Sequence, residues 1–244
     1  MCAVVVRPIL PIMNNALIQL SNVEKSYSLG QLLVRAVGGV SLEVGRGERV
    51  ALAGPSGSGK TTLLNLIGCI DKPDAGEVVI DDVAVTSIPL HRLARTRAEV
   101  LGFVFQTFNL VPVLTAWENV EFPLLLRGIP KRERHERVAA WLEAVGIAAQ
   151  ARQRPDQLSG GQRQRVAIAR AMAGEPKLVI ADEPTANLDS ENSARILDLM
   201  TDINTRTGCT FIFATHDPAV MSRAQRVIHL RDGHIARIEA ALAA

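Results

Sequence analysis

Nine consecutive residues constrain this chain more than any others: Gly54-Pro55-Ser56-Gly57-Ser58-Gly59-Lys60-Thr61-Thr62. They fit the phosphate-loop pattern G-x-x-x-x-G-K-[ST] at every fixed position. Glu48 to Ala53, just before them, reads as a short apolar strand, and Lys60 to Gly68 reads as the first turns of a helix. The chemistry needs this setting. Glycines let the backbone curl so that successive N–H groups point inward, with no Cβ to block the approach of a polyanion. The helix N-terminus adds unpaired N–H groups and the positive end of a dipole. Lys60 is then expected to bridge the β- and γ-phosphates of a nucleotide, and the Thr61 hydroxyl to ligate Mg²⁺.

The 244 residues, 48% of them hydrophobic, are ample for a core and suit one large domain or two small ones. A net charge of +2 implies no general affinity for nucleic acid or acidic membranes. Three scattered cysteines (Cys2, Cys69, Cys209) carry neither metal spacing nor a disulfide framework, which points to a reducing compartment. Residues 1–15 read as a loose leader. Its apolar run, Ala3 to Met13, is broken by Arg7, Pro8 and Pro11 and is too short to span a bilayer. No later stretch reaches spanning length without charges, so a membrane role is expected to come through a partner.

Strand patterns at 17–24 and 32–44 precede the phosphate loop; Val40, Leu42 and Val44 alternate in the second. A hairpin is expected around Asp81-Asp82, and a basic surface helix over 88–98. An apolar strand follows from Leu101 to Phe105, ending at Gln106. The segment Phe108 to Leu114 reads as an exposed loop rich in apolar residues. Helices are expected over 116–126, 131–145 and 162–173, and the run Lys131 to Arg137 reads as a solvated helix face. Strands at 177–181 and 209–214 flank a helix beginning near Asp189. A last hairpin turns at Asp232-Gly233. Strands alternating with helices predict an α/β fold with a mostly parallel central sheet.

Gly54, Gln106, Asp182, Glu183 and His216 all follow expected strands. In open α/β sheets ligands collect beyond the carboxyl ends of the strands. Four apolar residues precede Asp182, so a buried strand can hold that carboxylate rigidly toward a phosphate-bound Mg²⁺. Glu183 is placed to accept a proton from an attacking water. His216 is a candidate partner for the γ-phosphate, and Gln106 for Mg²⁺ or the water. Leu158-Ser159-Gly160-Gly161-Gln162 is a second Gly-rich entry to a helix, with Ser159 a candidate N-cap. One nucleotide has one triphosphate. Two cradles in one chain therefore suggest a site shared between two subunits.

With these residues in place, the sequence resembles the ATP-binding subunits of ABC transporters. Leu158-Ser159-Gly160-Gly161-Gln162 is similar to that family's signature motif, and the resemblance runs from about Leu17 to Ile238. It includes the Gln106 loop, Asp182-Glu183, Asn187-Leu188-Asp189 and His216. Ala186 stands where many relatives have Gly, a small departure. The resemblance implies an ABC-type phosphate-loop NTPase: a mostly parallel sheet with an antiparallel β subdomain and a helical subdomain. It implies one domain over 1–244, its ATP-binding core at about 16–106 and 174–244 and its helical part at about 107–173. Tyr27 would stack on adenine. Two copies would pair head to tail around two ATP molecules, each held between one copy's Gly54–Thr62 and the other's Ser159–Gln162. Asp189 would couple the two sites, Glu183 would be the general base and His216 the γ-phosphate sensor.

Phe105 to Val120 resembles more narrowly the subclass serving lipoprotein release and macrolide or peptide efflux. That resemblance implies an integral membrane permease as partner, no nucleic-acid partner, and a place on the cytoplasmic face of a bacterial inner membrane. The apolar loop at 108–114 would lie near the groove for the permease's cytoplasmic helix. A non-transporting permease-like complex that activates a cell-wall enzyme is the rival implication.

Overall fold

The computed structural model describes residues 15–30 and 32–240. The expectations for the leader fall on residues 1–14, which lie outside the described residues.

Two sheets share the work of positioning the phosphate loop. The first is antiparallel: β1 (Ala16–Leu29), β2 (Leu32–Gly45), β4 (Ala75–Ile80) and β5 (Val83–Ala84), in the order β2-β1-β4-β5. Val40, Leu42 and Val44 alternate inward along β2, as their spacing predicts. The second sheet has six strands. They are β3 (Arg49–Ala53), β6 (Leu101–Val104), β7 (Leu178–Asp182), β8 (Thr210–Thr215), β9 (Arg226–Arg231) and β10 (His234–Ala240). Their order is β10-β9-β3-β8-β7-β6, parallel throughout except for β10 at the edge. The strands β3, β7 and β8 are nearly continuous apolar runs, as central parallel strands must be when both faces are covered.

Alternation along β8 divides the core. Ile212 and Ala214 face a cluster built with α1 (Lys60–Ile67) and the antiparallel sheet, including Leu17, Ile18, Leu63 and Ile67. Phe211 and Phe213 face a second cluster. It is built with α3 (Ala116–Leu126), α4 (Lys131–Ala144), α5 (Gly160–Ala173) and α6 (Ser190–Thr207). The helix α1 is thus sandwiched between the two sheets.

Buried amides pin the connections. Asn119 accepts from Val111 N–H and donates to the carbonyls of Val111, Leu114 and Thr115, fixing the turn into α3. Thr115 and Glu118 close a capping box at the same point. Asn204 accepts from Arg49 and donates to the carbonyls of Gly47 and Cys209.

Three local expectations change. Phe108 is buried, not exposed: its backbone is left-handed, its carbonyl accepts from Arg170, and Arg163 lies 5.1 Å from its ring centroid. Val113 in the same loop is 70% exposed, as expected. The basic run on α4 is not simply solvated, because Arg134 pairs with Glu121 at 2.8 Å and donates to the Ile129 carbonyl. The expected helix over 88–98 opens as a 3₁₀ turn at Leu90–Arg92 and continues as α2 (Leu93–Val100). Its Arg97 reaches inward to the Cys69 carbonyl at 2.6 Å, where α1 has ended and Cys69 is left-handed. Among the described residues, no helix is long and apolar enough to cross a membrane.

Candidate nucleotide site

Gly54–Thr62 leaves β3 and folds back into α1. Gly59, the residue before α1, has φ 98°, and a Cβ there would lie 2.4 Å from the Ala36 carbonyl oxygen. A Cβ on Gly54 would meet the Leu230 carbonyl oxygen at the same distance. Backbone packs where a side chain would stand, so glycine is required. No side chain caps α1. Its first N–H groups are therefore available to an anion.

The loop, Gln106, Asp182, Glu183 and His216 line one cleft of about 710 Å³. That size suits a small-molecule ligand. Lys60 Nζ donates to the carbonyls of Gly54 and Pro55 at 2.7 and 2.9 Å. An ammonium has three donors, so one remains for a ligand. Asp182 ends β7 half-buried. Burial pushes its carboxyl above the ordinary value, the charge of Glu183 adds to that, and the Lys60 ammonium opposes it. Glu183 follows with φ 45°. Its N–H donates to the Ala214 carbonyl, its Oε2 accepts from Thr215, and its Oε1 lies 2.7 Å from His216 Nδ1.

Tyr27 stands beside this cleft, across the hairpin from Val34, which lines it. Its hydroxyl donates to Asp71 at 2.9 Å, and Lys25 Nζ lies 5.4 Å from its ring centroid. Gln106 is tied through its carbonyl to Asn187 at 2.8 Å.

Leu158–Gln162 lines no part of that cleft. Ser159 and Gln162 form a capping box at the start of α5. Gly161 packs against Asn192, where a Cβ would stand 3.0 Å from the amide oxygen. Asp189 caps α6 by accepting from Asn192 N–H and side-chain amide. Leu158–Gln162 and Asp189 therefore meet through Asn192, and neither lines the cleft of Gly54–Thr62.

Among the described residues, no three His, Cys, Asp or Glu side chains are grouped to hold a metal by themselves. A Mg²⁺ that arrives on phosphates needs only one or two protein oxygens. Thr61, Gln106 and Asp182 share the cleft wall, so the residues fit such an ion.

The sequence reading missed several contributors. Val34, Arg35 and Ala36 line the cleft from β2, and Asp71 holds Tyr27. The Gly233 N–H donates to the Ser58 carbonyl at 3.1 Å. Each contact joins segments distant in sequence, which no local pattern marks.

Comparison with known proteins places this arrangement. A family model described as ABC transporter matches residues 37–186. The ATP-binding protein YknY of Bacillus subtilis is 46% identical over 219 residues, covering 90% of this chain and 95% of its own. The macrolide export ATP-binding/permease protein MacB of Marinobacter nauticus is 45% identical; the match covers 90% of this chain but 34% of MacB. The cassette MJ0796 of Methanocaldococcus jannaschii has a dimeric structure in a post-hydrolysis state bound to ADP and Pi. It superposes with a TM-score of 0.85 at 42% identity, covering 93% of this chain and 100% of MJ0796. By sequence and fold alike, the chain belongs to the ABC transporter family, as one of its ATP-binding ATPase subunits.

Proposed function

We propose that this chain binds Mg·ATP between two copies of itself and drives an integral membrane permease that exports a drug, peptide or lipoprotein. The observation that carries this reading is the separation of its two Gly-rich cradles. Gly54–Thr62 lines the cleft, and Leu158–Gln162 does not. A second copy would have to supply its Ser159–Gln162 to close the site. The MJ0796 cassette is dimeric with ADP and Pi, which supports that pairing.

In this reading Tyr27 stacks on adenine. Lys60 and the N–H groups at the start of α1 bind the phosphates and stabilise charge on the transferring group. Mg²⁺, held at Thr61, Gln106 and Asp182, supplies further charge neutralisation when bound. Glu183 takes the proton of the attacking water. His216 senses the γ-phosphate, and Asp189 couples the paired sites. Hydrolysis removes the contact shared by the copies, and the pair loosens. The helical part at about 107–173 passes that motion to the permease.

The permease is expected to dock in the groove between α2, β6 and α3. Ala98, Leu101, Phe103, Phe122 and Leu126 line it. Leu126 is 71% exposed, so the groove has an apolar lip. MacB and the pyoverdine export protein PvdT carry ATP-binding and permease functions in one name, which supports a membrane partner. The chain would sit on the cytoplasmic face of the membrane through that partner.

The test is a mild-detergent pull-down of tagged Glu183→Gln protein with Mg·ATP, with Leu126→Glu as a docking variant. Recovery of a permease, lost on Leu126→Glu, is the expected result. Recovery of only ribosomal or DNA-associated proteins would overturn the transport reading.

A further inference from the structure

We propose that Thr215 is a positioning residue for Glu183, its buried hydroxyl aiming the Glu183 carboxylate into the cleft. The proposal rests on Glu183 being the general base.

Glu183 has a left-handed backbone at φ 45°. For a long side chain this conformation is uncommon and persists only when the surroundings impose it. Three consecutive residues at the end of β8 hold Glu183 here, one through its backbone and two through its carboxylate. The Ala214 carbonyl accepts the Glu183 N–H at 2.9 Å. Thr215 Oγ1 donates to Glu183 Oε2 at 3.1 Å, and His216 Nδ1 lies 2.7 Å from Oε1.

The two side-chain contacts are not equivalent. His216 has a side chain 76% exposed and is free to turn toward a ligand. Thr215 is 0% exposed. Its χ1 is restricted by β-branching in a strand. Its hydroxyl oxygen also accepts the Asp217 N–H at 2.9 Å, which leaves the hydroxyl proton for Glu183. When His216 leaves Oε1 for a phosphate, Thr215 still holds Oε2. Asp217 in turn caps α7 (Pro218–Met221) through Ala219 N–H. The hydroxyl is thus anchored to a fixed turn.

The experiment compares steady-state ATP hydrolysis by the full chain and its Thr215→Val, Thr215→Ser, Glu183→Gln and Glu183→Gln/Thr215→Val variants. Valine keeps the shape and removes the hydroxyl; serine keeps the hydroxyl. Losing a hydrogen bond to a charged group should lower kcat about tenfold or more in Thr215→Val. KM should stay within about twofold, because ground-state binding is untouched. Serine should restore kcat, and valine should cause no further loss when Glu183 is already Gln. A wild-type kcat in Thr215→Val, equal losses in Val and Ser, or an additive loss in the double variant would each overturn the proposal. Wild-type turnover by Glu183→Gln would instead remove the base assignment, and the proposal with it.

Discussion

His216 Nδ1 and Glu183 Oε1 lie 2.7 Å apart, joining the ends of two adjacent parallel strands in one polar pair. A general base contributes about 10²–10⁴-fold to a rate. Glu183→Gln should therefore hydrolyse ATP at least about a hundredfold more slowly. The variant should also accumulate as an ATP-stabilised pair of chains. Phosphate release and size-exclusion chromatography with Mg·ATP read both effects. Rapid turnover by a monomer would defeat the assignment. His216→Ala should also slow turnover, and should add little to Glu183→Gln.

Lys60 makes its two hydrogen bonds to carbonyls of its own loop. Lys60→Ala should leave the fold intact and abolish nucleotide affinity or hydrolysis. Calorimetric titration with Mg·ATP, beside a thermal melt, separates binding from folding. Unchanged binding and turnover would remove Lys60 from the site.

Asp71 holds both Tyr27 and Lys25. Burial alone would raise its carboxyl, but hydrogen bonds from Lys72 N–H, Lys25 and Tyr27 outweigh that and hold it below its ordinary 3.8. Asp71→Asn should loosen Tyr27 and raise the KM for ATP several-fold, with kcat little changed. A carboxylate with a depressed folded value stabilises the fold above its unfolded value. That contribution is lost as pH falls through the folded value. The stability gap between wild type and Asp71→Asn should therefore be present near about pH 7 and shrink below about pH 4. Urea midpoints at the two pH values test the sign.

Asn204 joins α6 to the entries of β3 and β8 through Arg49, Gly47 and Cys209. Asn204→Ala would leave Arg49 and two carbonyls without this partner. The expected cost is about 2–4 kcal/mol. It should appear as a lower urea midpoint with an unchanged slope. ATP affinity should be untouched in the folded fraction.

The order of elements was legible because strong local rules apply. The mostly apolar runs Leu178 to Ala181 and Cys209 to Ala214 are too continuous for one-sided strands. They form the middle of the parallel sheet. In Gly54–Thr62 the fixed glycines fall where backbone packs too closely for a side chain, at Gly54 and Gly59. Phe108 was misread because loop position suggested exposure, whereas Arg163 and Arg170 from α5 cover it. Arg134 and Arg97 were misread for the same reason: a charge run shows which residues are polar, not which carbonyl or carboxylate lies opposite.

By itself, the sequence determined the phosphate loop, the strand-end acids, the second Gly-rich cradle and the α/β class. These are short-range patterns, set by backbone sterics and hydrophobic period. Tertiary structure decided which of them meet. It brought Gln106, Asp182, Glu183 and His216 to the cleft of Gly54–Thr62 and left Leu158–Gln162 with Asp189 outside it. It also assigned Thr215 to Glu183, Asp71 to Tyr27 and Gly233 to Ser58. Such pairings depend on which strands lie side by side, and strand order is fixed only when the whole core closes.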